Sequence, residues 1–231
     1  MSLISILCFV GTLLAYILVK RVHRKLPYLV FSPAILVPVM IIAILLGSHT
    51  TYETYMADSQ WIVWMLGPAT VAFAIPIYEY RKVIQEHVLS ISMGVFLGMF
   101  AGMLSAFYLA KFFHFDHSTT YSLMARSIST PFAMELAGHI GGSVELVILF
   151  TIITGLIGMC FGDVILKMIH LKSHFAMGAS LGNAAHGFGT SKAYMRDQQE
   201  GVIASLTMVL AGIFMVILGP YLVQIILYCA I

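Results

Sequence analysis

Between two apolar segments lies Leu181-Gly-Asn-Ala-Ala-His-Gly-Phe-Gly-Thr-Ser-Lys-Ala-Tyr194, with three glycines, a histidine, an asparagine, a lysine and hydroxyls at Thr190 and Ser191. A uniform lipid-facing helix is not written this way. Lipid offers no water to free N–H and C=O groups, so irregular backbone survives at membrane depth only inside protein or beside a wet cavity. Gly187 and Gly189 predict a break, with Thr190 as the N-cap of a helix resuming at Ser191. That would aim free N–H groups and the positive end of a half-helix at a midplane site suited to an anion.

The surrounding chain fixes the setting. Its 231 residues are 60% hydrophobic and 10% charged, far below the about one-quarter charged residues of soluble domains. The expected fold class is therefore all-α, a polytopic membrane protein in the lipid bilayer. A net charge of +2 provides no basic surface for nucleic acid. Cys8, Cys160 and Cys229 sit in apolar segments without CxxC or metal spacing, as inert thiols do. Lys20-Arg21 follows a first apolar run that lacks a basic leader, which predicts a retained helix rather than a cleaved signal. No nucleotide loop, nucleophile triad or metal cluster is present, so neither an enzyme nor a cofactor is expected.

Ser2 to Val19 is one apolar run, close to the about 20 residues that a hydrocarbon core requires. The basic loop Lys20 to Lys25 places that end in the cytoplasm and the N-terminus outside. Phe31 to Leu46 reads as a short span kinked at Pro33 and Pro38, and Ser48 to Gln60 as a polar external loop. Trp61 and Trp64 open the next segment, which Pro68 and Pro76 interrupt. Val88 to Ala110 is a clean span whose glycines at 94, 98 and 102 form a stripe for close helix contact, including a homodimer. Arg126-Ser-Ile-Ser-Thr-Pro131 breaks residues 118–142, with Thr130 and Pro131 as N-cap and first residue of a new helix. After the span Val144 to Ile169, basic residues recur from Lys167 to Lys172. Gly201 to Ile231 is too long to cross straight, at about 46 Å, so a break is expected near Gly219-Pro220.

Leu66-Gly-Pro-Ala-Thr-Val-Ala-Phe73 aligns with Leu181-Gly-Asn-Ala-Ala-His-Gly-Phe188 at an offset of 115. Placing every basic turn on one side makes 118–142 re-entrant and gives 61–79 and 175–195 opposite directions. The expectation is one membrane domain over 1–231, with pseudo-repeats about 1–115 and 116–231. It would be an inverted-repeat, transporter-like fold with discontinuous helices.

Three stretches, Leu66 to Tyr78, Ser127 to Met134 and Ala185 to Ala193, resemble the signatures of the CidB/LrgB family. The resemblance spans nearly the whole chain. It implies a bacterial cytoplasmic (inner) membrane protein, often encoded beside a small holin-like partner of the LrgA/CidA type, that modulates autolysis and murein hydrolase export. It also implies kinship with carriers of monocarboxylates such as pyruvate and glycolate. Arg126 stands where the family pattern carries lysine, and Asn183 and Ser191 replace small residues, which bears on substrate specificity.

The candidate substrate-binding set is Arg126, Ser129, Thr130, Asn183, His186, Gly187, Gly189, Thr190, Lys192 and Thr70. An ionised side chain at mid-membrane costs about 2.5–3.5 kcal/mol without a partner or a wet cavity, which points to His186 and Lys192. The plainer readings are a hydrogen-bonded His186 and a Lys192 that snorkels towards Arg196. His186 titrates near neutral pH in water, so it could also couple protons to transport. Arg126 could offer a bidentate fork to a carboxylate, or pair with Glu135 or Glu145. Ser129 and Thr130 cap a helix in either case, and a kinked helix explains Thr70. The expected activity is transport of a small organic anion, with a holin- or antiholin-like regulator as the alternative.

Overall fold

The computed structural model describes residues 3–26, 28–72 and 74–229, apart from the side chains of residues 29, 70, 74, 76, 77 and 229. Among the described residues regular structure is entirely helical. Four helices, α1 (Leu3–Lys25), α6 (Arg81–Phe112), α9 (Val144–Met168) and α11 (Gln198–Cys229), are long and apolar enough to cross a membrane. The chain is a multi-pass, all-α membrane protein. Its contacts divide it into two compact units, one up to Ala69 and one from Thr70.

In the first unit α1 packs on α2 (Pro33–Gly47) and α3 (Tyr52–Trp64). The expected external loop at 48–60 is instead mostly α3. Thr51 caps it by accepting from the Thr54 N–H, and its polarity is spent on interior contacts. Asp58 is buried and accepts a hydrogen bond from Ser5, while Thr12 and Tyr55 share another at 3.3 Å. Trp61 and Trp64 therefore close a helix rather than open one. The short α4 (Leu66–Ala72) follows, then α5 (Ala74–Glu79).

The second unit is built around α11, most of which is buried, whereas α6 and α9 leave most of their apolar surface outside. Such an exterior suits lipid, so close packing, not water exclusion, must hold the helices together. On α9, Leu149, Ile153, Ile157 and Phe161 face outward, while Val147, Thr151, Gly155 and Gly162 face inward. The expected break at Gly219-Pro220 does not occur, because α11 continues through both. Proline's fixed φ is helical and removes only one backbone hydrogen bond, and the Gly219 face is covered by Leu136.

Two segments double back between these long helices. α7 (His117–Ala125) and α8 (Thr130–Ile140) are joined at residues 126–129. Asp116 caps α7. The pair closes at its base, where the Ser143 N–H donates to Ser122 Oγ at 2.8 Å. The α8 N-cap is Ser129, one residue earlier than expected, with Pro131 inside the first turn.

α10 (His174–Arg196) is the second such segment. Its backbone breaks at His186, where φ is 51° and ψ is −130°. Before the break, Gly178 and Gly182 lie against Glu200 and Ala204 of α11, moving up that helix. After it, Thr190 meets Met208 and Tyr194 meets Ser205 and Gly201, moving down it. The chain therefore reverses at His186. The expected through-span at 175–195 is not formed, and Thr190 lies within the second arm rather than at its N-cap. The arms can touch because glycines face the contact, and the Arg196 guanidinium reaches Met177 Sδ at 2.9 Å.

Candidate functional site

The open end of α10 is tied by charge. Asp163 of α9 pairs with Lys192 and with Arg196, each at 2.8 Å. Arg196 also meets Glu200 at 3.0 Å, and His174 meets Glu200 at 2.8 Å. Glu200 is 1% exposed. A buried carboxylate needs such partners, and a cation without them would be costly. Lys192, one of the candidate binding residues, is thus engaged in an ion network at this end. It satisfies Asp163 on α9.

The two turns meet at the closed ends. Gly98 and Gly102, one turn apart on α6, receive Asn183 from α10 and Ser127 from the α7–α8 turn. The stripe proposed for helix contact is used here within one chain. The same level of α9 is marked by Thr154, which accepts from Arg126 Nη1 at 2.8 Å, and by Gly155, which lies against Phe188. On α11 the level is marked by Met208 and Gly212, against Thr190 and Phe132. All six positions fall near the middle of their three helices, so the turns meet at about mid-depth.

His186 is at the centre. Its side chain is 3% exposed. The ring lies beside the Ser127 backbone and within reach of the Arg126 charge, yet neither ring nitrogen makes a hydrogen bond of normal geometry among the described residues. Buried polar groups are nearly always partnered, so a ring this poorly satisfied calls for a ligand or water. The backbone adds strain, since φ 51° with ψ −130° is a glycine-type conformation. Three other histidines have positive φ, His49, His114 and His170, but each only ends a helix. Non-glycine strain inside a packed segment is characteristic of functional positions.

Arg126 is half-buried and takes part in none of the ion pairs among the described residues. The pairings open to it are used otherwise: Glu135 pairs with His139 at 3.0 Å, and Glu145 accepts from Ser143 at 2.7 Å. Ser129 makes no side-chain cap bond, so the first N–H groups of α8 carry the uncompensated positive end of that helix.

The structure thus sets Arg126 near His186, with Ser129 and Thr130 following on the same segment as Arg126 and Gly187 next to His186. It sets apart Lys192, held by Asp163, and Gly189 and Thr190, which face the Leu181 carbonyl and Met208 Sδ. Asn183 lies beside the turns, one Nδ2–H donating to the Gly94 carbonyl at 3.4 Å. The Thr70 side chain lies outside the described residues. Sequence reasoning missed the roles of Ser127 and Thr154, because only the approach of two distant turns gives them one.

The sequence model of the LrgB-like family matches residues 12–225. The chain is 34% identical over 221 residues to the "Uncharacterized protein YwbG" of Bacillus subtilis, covering 96% of this chain and 98% of that one. It is 32% identical over 219 residues to the "Holin-like protein CidB" of Staphylococcus epidermidis and of Staphylococcus aureus, covering 95% of this chain and 96% of each relative. No solved structure matches. With the family model and these relatives spanning almost its full length, the chain belongs to the LrgB-like family.

Proposed function

We propose that this protein is a carrier, not an enzyme, for small organic anions of the monocarboxylate class in the bacterial cytoplasmic membrane. One observation carries the reading: among the described residues, the strained and buried His186 makes no hydrogen bond of normal geometry through its ring, and Arg126 beside it pairs with no carboxylate. A carboxylate bound there would balance the single guanidinium and accept from it in a forked geometry. Its remaining lone pairs would accept from the imidazole and from the free N–H groups at the start of α8. One fixed positive charge favours a monoanion over a dianion.

The arrangement of the two turns suggests how access could alternate. Ala125, Arg126, Thr130 and Ala133 correspond to Ala185, His186, Thr190 and Ala193, in each case sixty positions later. We infer an inverted repeat on this register. α6 with the α7–α8 hairpin forms one half, and α9 with the two arms of α10 the other. The hairpins would enter the membrane from opposite faces, with their turns at the centre, as in carriers that rock one repeat against the other. The alignment of Leu66–Phe73 with Leu181–Phe188 at an offset of 115 still stands in the sequence, while the reversal at His186 takes away the opposed directions of 61–79 and 175–195.

A second reading draws on the relatives named holin-like CidB. In it the protein regulates autolysis with a small LrgA/CidA-type membrane partner, and its extensive apolar exterior is a docking surface as well as a lipid-facing one. A purely structural regulator has no need of an unpaired guanidinium and imidazole at mid-depth, so the carrier reading is preferred. Uptake of labelled glycolate and pyruvate into proteoliposomes holding only this chain tests it. Saturable uptake whose apparent affinity falls by about ten- to a hundredfold in Arg126→Gln supports the carrier. Uptake of neither compound, nor of any other C2 or C3 carboxylate, would leave the regulator.

A further inference from the structure

Asn183 borders a cavity that the site above does not use. It encloses about 320 Å³ between α6, the first arm of α10 and α11, at the small end of the about 300–1,000 Å³ typical of ligand pockets. Phe175 lines it at the base of α10, and Ala184 lines it two residues before His186. The cavity therefore follows the first arm from its open end to the turn. Ser90, Ser180, Asn183 and Thr207 contribute polar groups to its wall. Asn183 Oδ1 is buried without a partner, and the bond from its Nδ2 to Gly94 is long. Buried amide groups are rarely left so poorly satisfied in a dry groove.

A second cavity, of about 400 Å³, lies along the first arm of the other hairpin, where it is lined by Phe107, His117, Thr120 and Tyr121. It ends at Tyr121, more than a turn short of Arg126. The Asn183 cavity, by contrast, extends along its arm to Ala184, two residues before His186. Its outer end lies at the end of the unit that bears Arg81, Lys82, Lys167 and Lys172, whose attraction for anions Glu79, Glu86 and Asp197 offset in part.

We propose that this cavity is the vestibule through which a small carboxylate reaches Arg126 and His186 from that basic face, with Asn183 as a polar relay on the way. A carboxylate oxygen would accept from Nδ2 in place of the Gly94 carbonyl. The inference rests on the carrier reading and adds a route and a side to it.

The test uses the full-length protein with its three cysteines replaced, reconstituted in one orientation. Ser90→Cys is treated from either face with a membrane-impermeant methanethiosulfonate that carries a sulfonate. Reaction should occur from the basic face, should slow in excess glycolate, and should abolish glycolate uptake. Gly98→Leu, which would push the Asn183 amide aside, should lower uptake by about tenfold or more with amount and oligomer size unchanged. If the unmodified protein transports but Ser90→Cys reacts only from the other face, or reacts fully without loss of uptake, the vestibule is wrong and the carrier stands. If the unmodified protein moves no carboxylate, both fall together.

Discussion

Gly189 lies against the main-chain carbonyl of Leu181, two residues that a continuous helix would hold roughly 12 Å apart. That contact is possible only because the chain turns back at His186. The base of the fold-back is held by Glu200, Arg196 and His174. The turn is delivered to Arg126, Ser127 and the middle of α6.

The backbone of His186 gives the first expectation. His186→Gly should keep or raise thermal stability, because a left-handed backbone costs a side chain about 1–2 kcal/mol. It should nevertheless abolish carboxylate uptake. His186→Ala should lose uptake without that gain. Thermal unfolding followed by size-exclusion chromatography, with uptake measured in parallel, separates the two effects. A glycine variant that transports normally would take the imidazole out of the site.

Arg126 gives the second. A hydrogen bond to a charged group contributes about 1.5–3 kcal/mol, so Arg126→Gln should weaken apparent affinity by about ten- to a hundredfold. Arg126→Lys keeps the charge and loses the fork, and should fall between. Concentration-dependent uptake reads this directly. Equal affinities for all three proteins would show that the guanidinium does not touch the anion.

The ion network gives a ranking. Removing one partner of a buried pair typically costs about 3–5 kcal/mol, and Glu200 is the most enclosed member. Glu200→Ala should therefore lower the melting temperature most, Asp163→Asn less and Lys192→Met least. Uptake by folded Lys192→Met should stay close to normal, because its ammonium group is engaged with Asp163 at 2.8 Å. Complete loss of uptake in stable Lys192→Met would return the lysine to the binding site.

Glycines give a contrast in packing. A Cβ at Gly182 would collide with the Ala204 carbonyl, whereas one at Gly187 meets nothing. Gly182→Ala should destabilise by about 1–3 kcal/mol or more, as overpacking does, and Gly187→Ala should be neutral for folding. Detergent thermostability of the two variants decides it, and equal melting temperatures would contradict the close contact of α10 with α11.

Topology supplies the last. Cysteines introduced at 115 and 142 should label from one face of the membrane, and cysteines at 172 and 198 from the opposite face. Labelling of 172 and 198 from different faces would require α10 to cross, against the reversal at His186.

The sequence by itself determined that this chain is helical and lies in a membrane, because apolar runs of sufficient length leave backbone groups no other way to be satisfied. It also marked the two irregular stretches, at Arg126–Pro131 and Leu181–Tyr194, since glycine, proline and polar side chains there conflict with a lipid-facing helix. Tertiary structure decided what those stretches do. Local pattern cannot distinguish a kink from a reversal: both need a helix breaker, and only the contacts of Gly178, Gly182, Thr190 and Tyr194 along α11 reveal that the chain turns back. The same holds for charge. Lys192 and Arg126 are alike in sequence as cations amid apolar residues. Asp163 reaches one and not the other, because pairing depends on which helix faces arrive together in space.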